Sequence, residues 1–126
     1  MEHILNIPPY TKSAVYALVD DRGKKYIGST NNLNRRIKSH DREMRTVLSG
    51  KNSGFLSNSM TDAVLSGRTF HVEILAAYDF IDRDELTKIE KACVIAAGGP
   101  GKTYNARFPA RNKSRWDTRN DCWKAK

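Results

Sequence analysis

The stretch KYIGSTNNLNRRIKSH, residues 25–40, joins a short strand-like segment to a helical one. Tyr26-Ile27-Gly28 has the composition of a strand end, and Thr30 or Asn31 is a suitable N-cap for a helix that runs to about Leu48. At about 100° per residue, this helix has an apolar face and places two ionisable residues on it. The apolar members are Leu33, Ile37, Met44, Val47 and Leu48, and the ionisable ones are Arg36 and His40. Arg35, Lys38, Arg42 and Arg45 point away from that face.

The preceding residues predict the strand that pairs with this one. Residues 13–20, SAVYALVD, contain β-branched and aromatic side chains and are apolar on both faces, as in a buried strand. Asp21-Arg22-Gly23 is typical of a three-residue hairpin loop with Gly23 in the left-handed conformation. Since side chains alternate between faces, an odd-numbered loop places Tyr16 and Tyr26 on the same face of the hairpin.

Two more helices and a third strand follow. A short helix is indicated by Leu56, Met60, Ala63 and Val64. Residues 69–78, TFHVEILAAY, predict a strand whose better-buried face carries Phe70, Val72 and Ile74. A third helix is predicted from about residue 84 to 97, capped by Asp82 or Asp84 and ended by glycines. Its apolar arc comprises Leu86, Ile89, Cys93, Val94, Ala96 and Ala97, and Glu90 lies within that arc.

Charge and length restrict the functional class. The chain has 126 residues, a length typical of one domain, and 22 Lys and Arg against 14 Asp and Glu, so its formal net charge is +8. Such an excess favours a polyanionic partner such as nucleic acid. The N-terminus has no signal-peptide pattern, and no window reaches the roughly 18 apolar residues of a membrane helix. We therefore expect a cytoplasmic protein in which Cys93 and Cys122 are reduced thiols.

Ionisable residues on apolar helix faces indicate a cleft with chemistry. A lone Glu90 is more simply a residue at the edge of the apolar stripe whose carboxylate reaches water or an arginine. Together with Arg36, His40 and two tyrosines, however, it forms a set suited to phosphodiester hydrolysis, which needs a base, a cation and a metal or acid. Six other acids are predicted on turns, caps or outward faces, so one Mg²⁺ is expected rather than two. These acids are Asp41, Glu43, Glu73, Asp82, Asp84 and Glu85.

One segment imitates a nucleotide-binding loop. Residues 96–103, AAGGPGKT, differ from the pattern G-x-x-x-x-G-K-[ST] only by Ala96 at the first glycine. That loop must follow a strand and open a helix, whereas this segment follows a predicted helix and runs into Tyr104-Asn105. Nucleotide binding is therefore not expected here.

Several of these features, in this order along the chain, resemble the GIY-YIG nuclease family. The second motif is intact as Tyr26-Ile27-Gly28, and the first stands as Ala14-Val15-Tyr16, with Ala for Gly and Val for Ile. Arg36 and His40 resemble the family's helix residues, and 70–75 its third strand. Glu90 resembles its metal-binding acid and Asn105 its late asparagine, so the resemblance covers about residues 13–106.

The resemblance implies an α/β (α+β) domain with a three-stranded antiparallel sheet flanked by helices, which cuts double-stranded DNA with one Mg²⁺ or Mn²⁺. Residues 1–12 form an extended arm, 13–106 the nuclease domain and 107–126 a basic, aromatic-containing extension. The implied roles are a general base for Tyr16, a hydrogen bond from Tyr26, phosphate stabilisation by Arg36, proton transfer by His40, metal binding by Glu90, and site support or phosphate contact by Asn105. The expected DNA contacts are Lys25, Gly28, Arg36, Arg107, Arg111, Lys113 and Arg115.

Three interpretations remain open from the sequence. The first is a homing-type or phage-type endonuclease, as a monomer or possibly a dimer. The second is a non-catalytic nucleic-acid-binding module on the same fold, favoured by the departures at Ala14 and Val15. The third is a structural or inhibitory protein in which Glu90 and Arg36 form a buried ion pair.

Overall fold

The computed structural model describes residues 4–51, 56 and 58–105. These residues form an antiparallel sheet of three strands, β1 (Ser13–Asp20), β2 (Lys25–Thr30) and β3 (Phe70–Tyr78), in the order β2-β1-β3. Three helices accompany the sheet: α1 (Leu33–Leu48), α2 (Asn58–Leu65) and α3 (Arg83–Ala96). The predicted α+β architecture is confirmed. Within the described residues, no helix is long and apolar enough to span a membrane.

The hairpin has the predicted geometry. Gly23 has φ +90° in a three-residue loop, and Tyr16 pairs with Gly28 while Leu18 pairs with Tyr26. Paired residues share a face and alternate residues along a strand do too, so Tyr16 and Tyr26 lie on one face of the sheet. That prediction is confirmed.

The sheet separates two apolar cores, because β1 is buried on both faces as predicted. On the Tyr16 face, α1 and α2 pack over Ala14 and Leu18 of the sheet through Leu33, Ile37, Met44 and Met60. On the other face, α3 packs over Val15, Ala17, Val19 and Ile27 through Leu86 and Val94. The two helices that carry the candidate site residues therefore lie on opposite faces of the sheet.

Some predicted helix details are wrong. Asn32 caps α1, rather than Thr30 or Asn31, because Thr30 still belongs to β2 and the Asn32 side chain accepts from Arg35 N. At the other end Leu48 is 55% exposed, since the helix runs past the core there. In α3 the predicted cap Asp82 is confirmed, whereas Ala96, which was predicted in the apolar arc, is exposed.

The predicted buried face of β3 ends early. Phe70 and Val72 are buried, but Ile74 is 41% exposed. Tyr16 pairs with Ile74 and Val15 with Ala76, so a β-bulge interrupts the alternation at this point.

The prediction that Asp41 and Arg45 face outward is wrong as well. Asp41 is fully buried in α1, where Oδ1 accepts from the backbone N–H groups of Ile4 (2.6 Å) and Leu5 (2.9 Å). Its Oδ2 accepts from Nε of the half-buried Arg45 at 2.8 Å. The carboxylate is buried because the N-terminal arm, which the helical pattern does not contain, supplies donors to it. Leu5 of that arm belongs to the core on the Tyr16 face.

The last described residues close the structure against the hairpin. Tyr104 donates its hydroxyl to the buried Asp20 at 2.5 Å, and its N–H bonds the carbonyl of Lys25 at 2.7 Å. The glycine-rich segment before it follows α3, and no helix opens from it among the described residues, as its sequence context indicates. Cys93 on α3 is a free thiol, whereas Cys122 and the predicted extension 107–126 lie outside the described residues.

Candidate active site

Tyr16 lies over Gly28, and this contact explains why β2 carries a glycine there. Tyr16 is 1% exposed and pairs with Gly28 across the hairpin. A Cβ at residue 28 would lie 2.6 Å from Oη and 2.8 Å from Cζ of Tyr16, closer than real Cβ contacts. Only glycine leaves room for the phenol ring in this position.

His40 holds the hydroxyl of that ring. Its Nε2 lies 2.7 Å from Tyr16 Oη, and its imidazole packs edge-on against Tyr26 with ring centroids 5.6 Å apart. The helical phase of α1 therefore places His40 inward, as predicted. On the other side of the ring, Nδ1 lies 3.3 Å from Oε1 of Glu43.

Glu43 is a residue that the sequence reasoning misplaced on an outward face. Its side chain is only 11% exposed, and it reaches His40 from one helical turn further along α1. The spacing of three residues was the available signal, because side chains at i and i+3 are neighbours on a helix.

Burial controls the protonation of this cluster. It lowers the pKa of His40 below its usual value, although Glu43 acts in the opposite direction, so the imidazole is neutral near pH 7. Burial also raises the pKa of Tyr16, with a further contribution from Tyr26, and the nearby Arg36 only partly offsets this. Tyr16 is therefore a neutral phenol near pH 7, and Arg36 alone does not make it a tyrosinate.

Arg36 lies at the solvent side of the two tyrosines. It is exposed on α1 rather than buried on the apolar face, yet its guanidinium lowers the pKa of both phenols against the larger effect of burial. A cation in this position can meet a phosphate that approaches from solvent.

Glu90 reaches the same region from α3. Its Oε1 accepts a short hydrogen bond from Ser29 Oγ, and Ser29 follows Gly28 directly in β2. Burial raises the pKa of Glu90, while Ser29, Arg83 and Arg36 lower it. Among the described residues Oε2 has no hydrogen-bond partner, and no ion pair joins Glu90 to Arg36. The interpretation of a buried Glu90–Arg36 pair is thus not supported.

Asn105 fastens β2 from the far end of the domain. Its Oδ1 accepts from Ile27 N at 2.9 Å, and its Nδ2 donates to Ile27 O at 2.7 Å. The carboxamide thus acts like a neighbouring strand for the residue between Tyr26 and Gly28. This geometry corresponds to the first of its two expected roles, support of the site.

Comparison with known proteins identifies the family. The model of the GIY-YIG catalytic domain matches residues 12–94, about two thirds of the chain. The chain belongs to the GIY-YIG family. It is similar to a mutant of the catalytic domain of the intron endonuclease I-TevI, with TM-score 0.62 and 18% identity over 80% of this chain and 99% of that one. No curated protein sequence matches the chain.

Family membership makes this domain a nuclease, and such enzymes are generally metal-dependent. The described residues contain no group of three or more His, Cys, Asp or Glu side chains that could hold a metal. They do offer Glu90, half-buried, with one carboxylate oxygen unengaged by hydrogen bonds. This fits an ion of the Mg²⁺ type, which takes one carboxylate and completes its shell with water and substrate phosphate.

Arg83 is a further cation near Glu90 that the sequence reasoning missed. It lies in the first turn of α3, seven residues before Glu90, so the two share a helix face. Burial lowers the pKa of Arg83, whereas Glu90 and Tyr16 raise it, which places its guanidinium within electrostatic reach of both. The seven-residue spacing was the signal that could have found it.

Three of the seven expected DNA contacts belong to the described residues. Lys25 opens β2, Gly28 lies under Tyr16, and Arg36 faces solvent beside the tyrosines. The other four cations expected to contact DNA lie outside the described residues: Arg107, Arg111, Lys113 and Arg115.

Proposed function

We propose that this chain is a metal-dependent endonuclease that hydrolyses phosphodiester bonds of double-stranded DNA. The observation that supports it most is the Tyr16 hydroxyl, held 2.7 Å from a neutral histidine and beside the solvent-facing Arg36. A hydroxyl with a base behind it and a cation in front can activate water next to a phosphate. The formal net charge of +8 favours a polyanionic substrate.

Hydrolysis at this site follows one proton path. A lone pair on the water oxygen forms the new bond to phosphorus, and a water O–H bond breaks with its electrons left on that oxygen. The released proton moves to the Tyr16 oxygen while the Tyr16 proton moves to Nε2 of His40. The bond from phosphorus to the leaving oxygen breaks, and that oxygen keeps the electron pair and takes a proton from solvent.

The charged residues divide the remaining work. Arg36 offsets negative charge on the phosphate as it grows in the transition state, and Arg83 adds positive potential from the α3 side. Glu90 is the residue that would hold Mg²⁺ or Mn²⁺, which when bound supplies Lewis-acid stabilisation of the phosphate oxygens. Tyr26 keeps His40 in place through its ring.

Binding of DNA places further residues in contact with phosphates. Lys25 and the four cations of the C-terminal extension contribute charge, and Gly28 contributes indirectly, because it leaves room for the Tyr16 ring. These contacts are sequence-independent, so we expect weak sequence preference in cleavage.

Plasmid cleavage tests the proposal. Supercoiled plasmid is incubated with the wild-type chain, with Glu90→Ala and with the control Glu85→Ala in Mg²⁺ and in Mn²⁺, and the products are mapped by sequencing. Glu85 is an exposed carboxylate on the same helix, paired with Lys88 at 3.2 Å, so its removal leaves the site intact. We expect the wild type and Glu85→Ala to cut the plasmid, and we expect Glu90→Ala to cut it at least about 100-fold more slowly.

Two results would count against the proposal in different ways. Retained cleavage by Glu90→Ala refutes the assignment of the metal ligand. Plasmid left uncut by the wild type in both metals and at several salt concentrations, with binding that weakens steeply as salt rises, selects the non-catalytic module.

A further inference from the structure

The side chain of Glu43 closes a buried chain of three residues. It lies one turn after His40 on α1, and the exposed fractions of the two side chains are 11% and 4%. Glu43 Oε1 faces Nδ1 of the imidazole at 3.3 Å, while Tyr16 Oη faces Nε2 at 2.7 Å. The two ring nitrogens therefore face different partners: a carboxylate, which only accepts hydrogen bonds, and a phenol, which can donate one.

This arrangement distinguishes the two neutral tautomers of His40. With the proton on Nδ1, the ring donates to the Glu43 carboxylate and its Nε2 accepts from the Tyr16 hydroxyl, so each group is satisfied. With the proton on Nε2, the lone pair of Nδ1 would face a carboxylate that can only accept. Both groups would then lose a hydrogen bond in a buried place, which is unfavourable by about 1–3 kcal/mol per group.

We propose that Glu43 is a positioning residue that holds His40 in the Nδ1–H tautomer and thereby directs the Tyr16 hydroxyl proton toward His40. The lone pairs of the Tyr16 oxygen are then left for the attacking water. The role in cleavage rests on the proposed function, whereas the tautomer itself does not. The Nδ1–H tautomer sets the direction of proton transfer, from Tyr16 to His40, before substrate binds.

Glu43 also affects the charged form of His40. The groups that act on the ring are Tyr16 from β1, Tyr26 from β2, and Arg36 and Glu43 from α1. Of these, Arg36 disfavours a proton on the ring, and the phenols are neutral. Among the described residues that act on it, Glu43 is the anion that stabilises the imidazolium formed when Tyr16 gives up its proton.

The tautomer can be measured on the whole chain without DNA. In long-range ¹H–¹⁵N spectra of the wild type, we expect the His40 ring to be Nδ1–H near neutral pH, and Glu43→Gln to reduce the Nδ1–H population. A wild-type ring in the Nε2–H form overturns the proposal, even if the chain cuts DNA and even if the variant fails to fold.

Cleavage of supercoiled plasmid in Mg²⁺ over a range of pH tests the catalytic consequence. Glu43→Gln should lower kcat roughly 10- to 100-fold with little change in KM, since the carboxylate touches no substrate. Because Glu43 raises the pKa of His40, its removal should move the acidic limb of the rate profile to lower pH. Glu43→Asp should restore part of the rate.

A matched control is available on the surface of β3. Glu73 also bonds a histidine, His71, at 3.0 Å, but both side chains are exposed and lie outside the site. Glu73→Gln should leave kcat and the pH profile unchanged. The positioning role is overturned if Glu43→Gln cleaves at the wild-type rate, or if its rate is lower but the acidic limb of the pH profile does not move. If the wild type itself fails to cut, the proposed function fails, and the tautomer measurement still decides the structural claim.

Discussion

Replacement of Gly28 by alanine should damage the site through a single methyl group. That methyl would lie 2.6 Å from the hydroxyl oxygen of Tyr16 and 2.8 Å from Cζ, whereas ordinary contacts begin at 3.4 Å. The ring cannot stay where it is, and it is packed in the core on the face of α1. The hydroxyl must retreat by about 0.8 Å, which disrupts its 2.7 Å bond to His40.

The expected effect on stability follows from this clash. Insertion of a methyl group into a well-packed core destabilises a protein by about 1–3 kcal/mol. For a domain of this size, a loss near 2 kcal/mol lowers Tm by roughly 5–10 °C. The rate of cleavage should fall by about 100-fold or more, since the proton path through Tyr16 is interrupted.

Thermal unfolding by circular dichroism and plasmid cleavage measure the two effects. Gly101→Ala is the matched control, because a Cβ at Gly101 meets nothing within 4 Å. In a Tyr16→Ala background the clash is absent, so Gly28→Ala should lose most of its effect there, with a coupling free energy of about 1–3 kcal/mol. Wild-type Tm and rate in Gly28→Ala, or costs that simply add in the double mutant, would refute the reasoning.

Three further changes test other parts of the structure. Asp41→Ala should lower the free energy of unfolding in urea by about 2–4 kcal/mol, because it leaves two arm N–H groups without their acceptor; a change below about 0.5 kcal/mol contradicts this. Asn105→Ala should destabilise by about 1–3 kcal/mol and lower kcat, since both backbone groups of Ile27 lose their partners, and an unchanged urea midpoint counts against the role. Arg83→Ala should reduce the rate of plasmid cleavage about tenfold or more without loss of Tm. The control Lys88→Ala, at an exposed surface lysine, should leave that rate unchanged. Equal cleavage rates for the two variants exclude a role for Arg83.

Local periodicity was sufficient for much of the site. The loop length of the hairpin placed Tyr16 and Tyr26 on one face, and the helical phase of α1 turned His40 inward. Both inferences depend on residues a few positions apart, where the geometry of strands and helices is nearly invariant.

The misplaced acids show where such reasoning fails. Asp41 and Glu43 were predicted on outward faces because a carboxylate on a helix is normally solvated. Asp41 is buried by backbone donors of the arm, 36 and 37 residues away in the chain. Glu43 is buried because His40 offers it a ring nitrogen. Whether a carboxylate can be buried depends on the donors that meet it, and periodicity does not contain that information.

The sequence by itself determined the strands, the helices, the hairpin register and the family. Only the tertiary structure decided that the Tyr16 ring occupies the space above Gly28 and that Asn105 completes β2 across 78 residues of chain. It also decided that Ser29 anchors Glu90 on the face of the sheet opposite to Tyr16. The physical reason is that strand and helix geometry repeats over a few residues, whereas hydrogen bonds and close contacts between distant segments exist only once the elements have packed.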